Sequence, residues 1–167
     1  MTITIPESGL DLSRNHENGL TLSGKRFLII ESASFTNLLG VFVREKGGEY
    51  HGLTETEINN DNLAIFAELA NKFDCIILHV STYATYMLAR RCLELSKPVI
   101  VLTRSGSGSV LILDAQGTES NLEDLYRQLE KGGAKLLEKD YYSTDPSTGD
   151  QTYVVRLRRM LDEIANN

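Results

Sequence analysis

Four polar residues close four short apolar runs in this chain. RFLII leads into Glu31 and Ser32, FDCIILH ends on His79 with Ser81 just beyond, VIVLT ends on Thr103 before Arg104, and AKLLEK ends on Lys139 before Asp140. In an open α/β sheet, ligands and reacting groups gather beyond the carboxyl ends of the strands. A carboxylate, an imidazole, a hydroxyl and an ammonium delivered there make one candidate site. A second is the loop RSGSGS, where Arg104, Ser105, Gly106, Ser107 and Gly108 could cradle an anion, since successive backbone N–H groups in a Gly-rich turn bind phosphate. It fits neither the P-loop pattern nor the dinucleotide fingerprint, and a plain flexible loop is the simpler account.

The elements that must carry these residues follow from periodicity. RFLII at 26–30 reads as a strand buried on both faces. Phe35 to Lys46 puts Phe35, Leu38, Leu39, Phe42 and Val43 on one helical face, and Gly47 and Gly48 end it. EYHGLT is a short second strand, and Asn62 to Lys72 is a helix. FDCIILHV at 73–80 is the central strand, followed by a helix through Tyr86 to Leu95. Pro98 then opens the strand VIVLT. VLILD at 110–114 reads as an additional short strand or a hairpin arm. A helix over 121–131, the strand AKLLEK and a closing helix over 152–165 complete the chain. This alternation predicts one α/β domain, a doubly wound parallel sheet in a flavodoxin-like three-layer sandwich over residues 25–167, preceded by a flexible arm over 1–24.

Bulk composition narrows the function. The chain has 167 residues, 41% hydrophobic and 24% charged, with seven Tyr and five Phe, so it can build a core of its own. A net charge of −6 repels phosphate backbones and anionic lipid, which argues against nucleic acid and membrane as partners. Arg156, Arg158 and Arg159 share a helical segment with Asp162 and Glu163 and read as a solvated face. Cys75 and Cys92 belong to no CxxC or Cys/His cluster, no run approaches the about 20 apolar residues of a membrane span, and the first ten residues lack signal-peptide character. Buried thiols in the cytoplasm are the expectation, with no cofactor and no metal.

GKRFLIIES, FDCIILH, KPVIVLT and GGAKLLEKD, in this order, resemble the strand signatures of a response-regulator receiver domain, and TYVVRLRRMLDEI is similar to that family's last helix. The resemblance spans residues 22–165. It implies that Glu31-Ser32 stands where the family has a Mg²⁺-binding acidic pair, and that His79 stands at the phosphate-accepting aspartate. Thr103 matches the switch hydroxyl, and Lys139 the phosphate-contacting lysine. An imidazole lacks the carboxylate's charge and is a borderline ligand for a hard ion, so aspartyl phosphorylation is not expected. The resemblance therefore implies a pseudo-receiver that acts on a protein partner in signal transduction, with homodimerisation as a further option and with the segment between Thr103 and Lys139, longer than the family's, reshaping the partner surface.

Two enzyme readings compete. SFTNLL is similar to the start of class I glutamine amidotransferases, but the chain has no Gly-x-Cys-x-Gly elbow and no downstream triad. LARRCLELSKPVIVLT resembles nucleoside deoxyribosyltransferases and TIR-like hydrolases, whose N-glycoside chemistry needs a carboxylate near a strand end, here Glu31 or Glu94, although Tyr86 or Met87 stands at the family's acid. A small-molecule sensor is a third option. Tyr83, Tyr86, Tyr141 and Tyr142 flank one sheet edge in this scheme and would mark an interface if exposed together, against the simpler account of partial burial under helices.

Overall fold

The computed structural model describes residues 22–59, 61–104, 106–139 and 143–165. Five parallel strands form the sheet: β1 (Arg26–Ile30), β2 (Glu49–Leu53), β3 (Cys75–His79), β4 (Val99–Thr103) and β7 (Lys135–Glu138), in the order β2-β1-β3-β4-β7. A separate antiparallel ribbon joins β5 (Leu111–Leu113) to β6 (Glu119–Asn121). The helices are α1 (Ala33–Glu45), α2 (Leu63–Ala70), α3 (Tyr83–Glu94), α4 (Leu122–Lys131) and α5 (Thr152–Ala165).

Strand alternation builds the two core layers. Phe27, Ile29, Cys75, Ile77, Ile100 and Leu102 pack with Phe35, Leu39 and Val43 of α1 and Tyr153, Leu157 and Leu161 of α5. Leu28, Ile30, Ile76, Leu78, Val99 and Val101 face the other way, onto Leu88 and Cys92 of α3 and Leu122, Leu125 and Leu129 of α4. Side chains point alternately to the two faces of a strand, so continuous apolar runs are what a doubly covered sheet demands. The expected doubly wound, three-layer sandwich is the observed one.

Local signals fix the helix ends. Ser32 caps α1 by accepting from the Phe35 N–H at 3.4 Å. Gly47, at φ 89°, closes α1: its N–H donates to Arg44 O at 3.0 Å, and the Gly48 N–H donates to Val43 O at 2.9 Å. These two hydrogen bonds satisfy the Arg44 and Val43 carbonyls, and the left-handed conformation at Gly47 suits glycine. Thr82 and Thr85 form a reciprocal cap at the start of α3. The helix therefore begins at Tyr83 rather than at Tyr86, where the apolar period alone put it, because a cap rather than a periodic residue sets its first turn.

The insert after β4 is a hairpin: Leu111 pairs Asn121 and Leu113 pairs Glu119. The Asp114 carboxylate accepts from the Gln116 and Thr118 N–H groups at 2.9 Å and holds its turn. The expected arm over 1–24 lies outside the described residues as far as 21. Leu22 is already fully buried against the α1 and α5 layer, so packing begins before Lys25. Among the described residues, no helix is long and apolar enough to cross a membrane.

Candidate functional site

The chain leaves β1 for β2 on one side and returns to β3 on the other, so strand order reverses beside β1. Such a reversal opens a crevice at the carboxyl ends. Ile30 pairs Leu78 across it, which sets the next residues, Glu31 and His79, side by side.

Glu31 is only 2% exposed. One carboxylate oxygen accepts from the Ser32 N–H at 2.7 Å, and the other is ion-paired with the Lys139 ammonium, delivered from the end of β7. Lys139 also lies 5.8 Å from the centre of the Phe35 ring. The sequence places these partners 108 positions apart, and parallel pairing brings them together. Ser32 is exposed and serves as the α1 cap, so its hydroxyl is committed to the backbone.

His79 stands over the same rim, with Nδ1 3.2 Å from Glu55 Oε2. Both ring nitrogens are buried, and among the described residues neither makes an aligned hydrogen bond. Glu55 opens a short 3₁₀ turn at Glu55–Glu57, after β2. The Ser81 hydroxyl donates to its Oε2 at 2.6 Å. The adjacent imidazole first, and then the Ser81 hydroxyl, hold the Glu55 carboxyl below the usual carboxylate range, against the opposing effect of burial. One ligand atom each from Glu31, Glu55 and His79 lie within 4.8 Å of one another. Glu55 was absent from the sequence-based candidates. The rule that selected the others, inspection of strand ends, also reaches it, but β2 is a half-exposed edge strand whose end is not marked by an apolar run.

Thr103 is 9% exposed, and its carbonyl accepts the Lys139 N–H at 2.9 Å. It lines a different cavity, a cleft of about 520 Å³ beside the insert, with Arg104, Gly106, Ser107, Gly108, Glu123 and Arg127. Glu130 and Glu138 also border that cleft, and Arg127 is paired with Glu123 and Asp124 at 3.1 Å. Three carboxylates against two guanidinium groups make a poor anion cradle. The Ser109 and Val110 N–H groups are moreover spent on Gly106 and Ser107 carbonyls within the loop's own turn. Ser105, Asp140, Tyr141 and Tyr142 lie outside the described residues.

The tyrosine interface is corrected in part. Tyr86 is 2% exposed and donates to Gln128 Oε1 at 2.7 Å, while Tyr83 is half-buried with its ring 5.5 Å from that of Tyr86. The cause is the α3–α4 contact, which covers this helix face. Tyr126 of α4 is a residue the sequence did not single out. Its hydroxyl donates to Val80 O at 2.8 Å, and burial pushes its phenol up to about 12. Glu94 is the last residue of α3 and is exposed in a pair with Arg91. The helix runs away from the strand ends for roughly 18 Å at 1.5 Å per residue, so Glu94 and Glu31 sit at opposite ends of the sheet.

No protein-family model matches the chain, and no curated protein matches it significantly. Among solved structures, the receiver domain of the histidine kinase CKI1 from Arabidopsis thaliana, crystallised as a point mutant, is similar over 91% of this chain and 97% of its own, with a TM-score of 0.52 and 14% identity. The signal receiver domain of a modulated diguanylate cyclase from Desulfovibrio desulfuricans, described as an example of alternate folding, covers 85% of this chain and 96% of its own, with a TM-score of 0.49 and 14% identity. The likeness to the CKI1 receiver domain, together with the strand order, shows a shared flavodoxin-like fold, as the strand signatures implied.

Proposed function

We propose that this chain is a receiver-like regulatory domain that works by docking a protein partner, without aspartyl phosphorylation. One observation carries the reading: His79 stands at the end of β3, where the resemblance puts the phosphate acceptor, and the pocket around it is already internally paired. Lys139, matched to the phosphate-contacting lysine, is engaged by Glu31, and Glu55 lies against the imidazole. A phosphoryl group entering this rim would meet two carboxylates and no acceptor oxygen at position 79.

Protein docking is supported by apolar groups left in water. Leu38 and Val41 of α1 are 50% and 53% exposed, and Leu111 and Leu113 of the insert are more so. Contiguous apolar surface left in water is a mark of contact surfaces. A cytoplasmic setting belongs to the same proposal, because both cysteines are free and buried. In the N-glycoside reading Glu94, exposed at the far end of α3, is set apart from the strand-end rim, which leaves Glu31 as its carboxylate.

Incubation of the chain with Mg²⁺ and acetyl phosphate tests this directly. Intact-mass measurement is expected to give an unmodified chain. A stoichiometric phosphoryl adduct removed by hydroxylamine would overturn the proposal, because that lability identifies an acyl phosphate.

A further inference from the structure

We propose that Glu31, Glu55 and His79 form a binding site for a divalent transition-metal ion of the zinc class. The three side chains come from three elements: the end of β1, the turn after β2 and the end of β3. This goes beyond the docking function and does not depend on it.

The donor set points to the ion. One imidazole nitrogen and two carboxylate oxygens suit zinc and its neighbours, whereas magnesium keeps oxygen ligands and water. Zinc with three protein ligands and one open position is a recurrent arrangement, with bonds of about 2.0 to 2.2 Å, which puts neighbouring tetrahedral ligands about 3.4 Å apart. The Nδ1 to Oε2 separation of His79 and Glu55, 3.2 Å, is already at that spacing. The remaining separations, at most 4.8 Å, close by rotation of a glutamate side chain.

Two further observations support a cation here. Among the described residues neither buried His79 nitrogen makes an aligned hydrogen bond, Nδ1 having only the 3.2 Å approach to Glu55 Oε2, and coordination of a nitrogen would satisfy it. The carboxylates are also held by hydrogen bonds, Glu31 Oε1 by the Ser32 N–H and Glu55 Oε2 by the Ser81 hydroxyl. Outer hydrogen bonds of this kind fix metal ligands in place. The ion would compete with the Lys139 ammonium for Glu31, and it would tie the loop after β2 to the sheet. Metal occupancy would then set the position of that loop.

The site differs from the magnesium site that the receiver resemblance implies. The second residue of the acidic pair is Ser32, which caps a helix, and the second carboxylate comes instead from Glu55 in a loop.

The test uses the full chain without an affinity tag, stripped with a chelator and titrated calorimetrically with Zn²⁺ and separately with Mg²⁺. One Zn²⁺ per chain is expected, with no saturable Mg²⁺ binding over the same range. The chain has three histidines, and the His16→Ala and His51→Ala variants should bind as the parent does. His79→Ala and Glu55→Gln should each weaken binding beyond the about 10- to 100-fold cost of losing an outer-shell partner. Circular dichroism confirms that the variants fold, and Glu55→Gln sits on a partly exposed turn where folding is least at risk. Co²⁺ bound to the parent should show visible ligand-field absorption that His79→Ala lacks. Absence of stoichiometric Zn²⁺ binding, equal affinity for Mg²⁺, or affinity unchanged in His79→Ala would each overturn the proposal.

Discussion

The rim over β1 and β3 and the hairpin after β4 invert the usual distribution of residues in opposite ways. At the rim, ionisable groups are buried: Glu31 is 2% exposed, and the Lys139 side chain is 10% exposed. On the hairpin, large apolar groups are in water: Leu111 is 56% exposed and Leu113 58%. A buried charge must find a partner inside the protein, whereas an exposed leucine can wait for one outside it. The rim answers its own demand through pairing across strands. The hairpin leaves its demand open, and that difference separates a site that binds inward from a surface that binds outward.

The largest expected effect comes from breaking the rim. Lys139→Met strands the Glu31 carboxylate in the interior and should cost about 3 to 5 kcal/mol, read from urea denaturation. Adding Glu31→Gln should recover much of that loss, because the uncompensated charge is then gone. Equal destabilisation by the single and double variants would show that the pair is not a unit.

The Tyr126 hydroxyl joins the two regions, bonding α4, which follows the hairpin, to the carbonyl of Val80 just beyond His79. Tyr126→Phe should cost about 1 kcal/mol in the same denaturation experiment, the usual net worth of one hydrogen bond. Because burial pushes this phenol up to about 12, absorbance titration of the folded parent should show one tyrosine ionising well above the ordinary range, and that step should vanish in the variant.

On the hairpin, Leu111→Ser together with Leu113→Ser should change stability by no more than about 0.5 kcal/mol while lowering binding of a hydrophobic reporter dye. A larger loss of stability would mean that the leucines pack within the chain after all.

The smallest effect is expected in the core, at Cys75 of β3 and Cys92 of α3. Burial pushes the thiols of Cys75 and Cys92 up to about 12, so almost no thiolate exists near neutral pH. Native protein should not react with a thiol-specific disulfide reagent over the time in which the urea-unfolded chain reacts completely.

What the sequence determined was whatever a local pattern can carry. β4 is delimited to the residue because VIVLT is bounded by Pro98 and Arg104, and the closing helix over 152–165 follows its apolar period. Two-sided burial of the strands is written in unbroken runs such as RFLII. The strand-end rule likewise located Glu31, His79 and Lys139. Tertiary structure decided the rest. No local signal states that Glu31 meets Lys139 rather than another cation, that Glu55 from a half-exposed edge strand joins His79, or that Thr103 turns toward a different cleft. Those outcomes depend on strand order and register, which the chain settles through contacts between residues distant in sequence. A linear pattern records which groups a strand delivers to its end, and the packed sheet decides which of them touch.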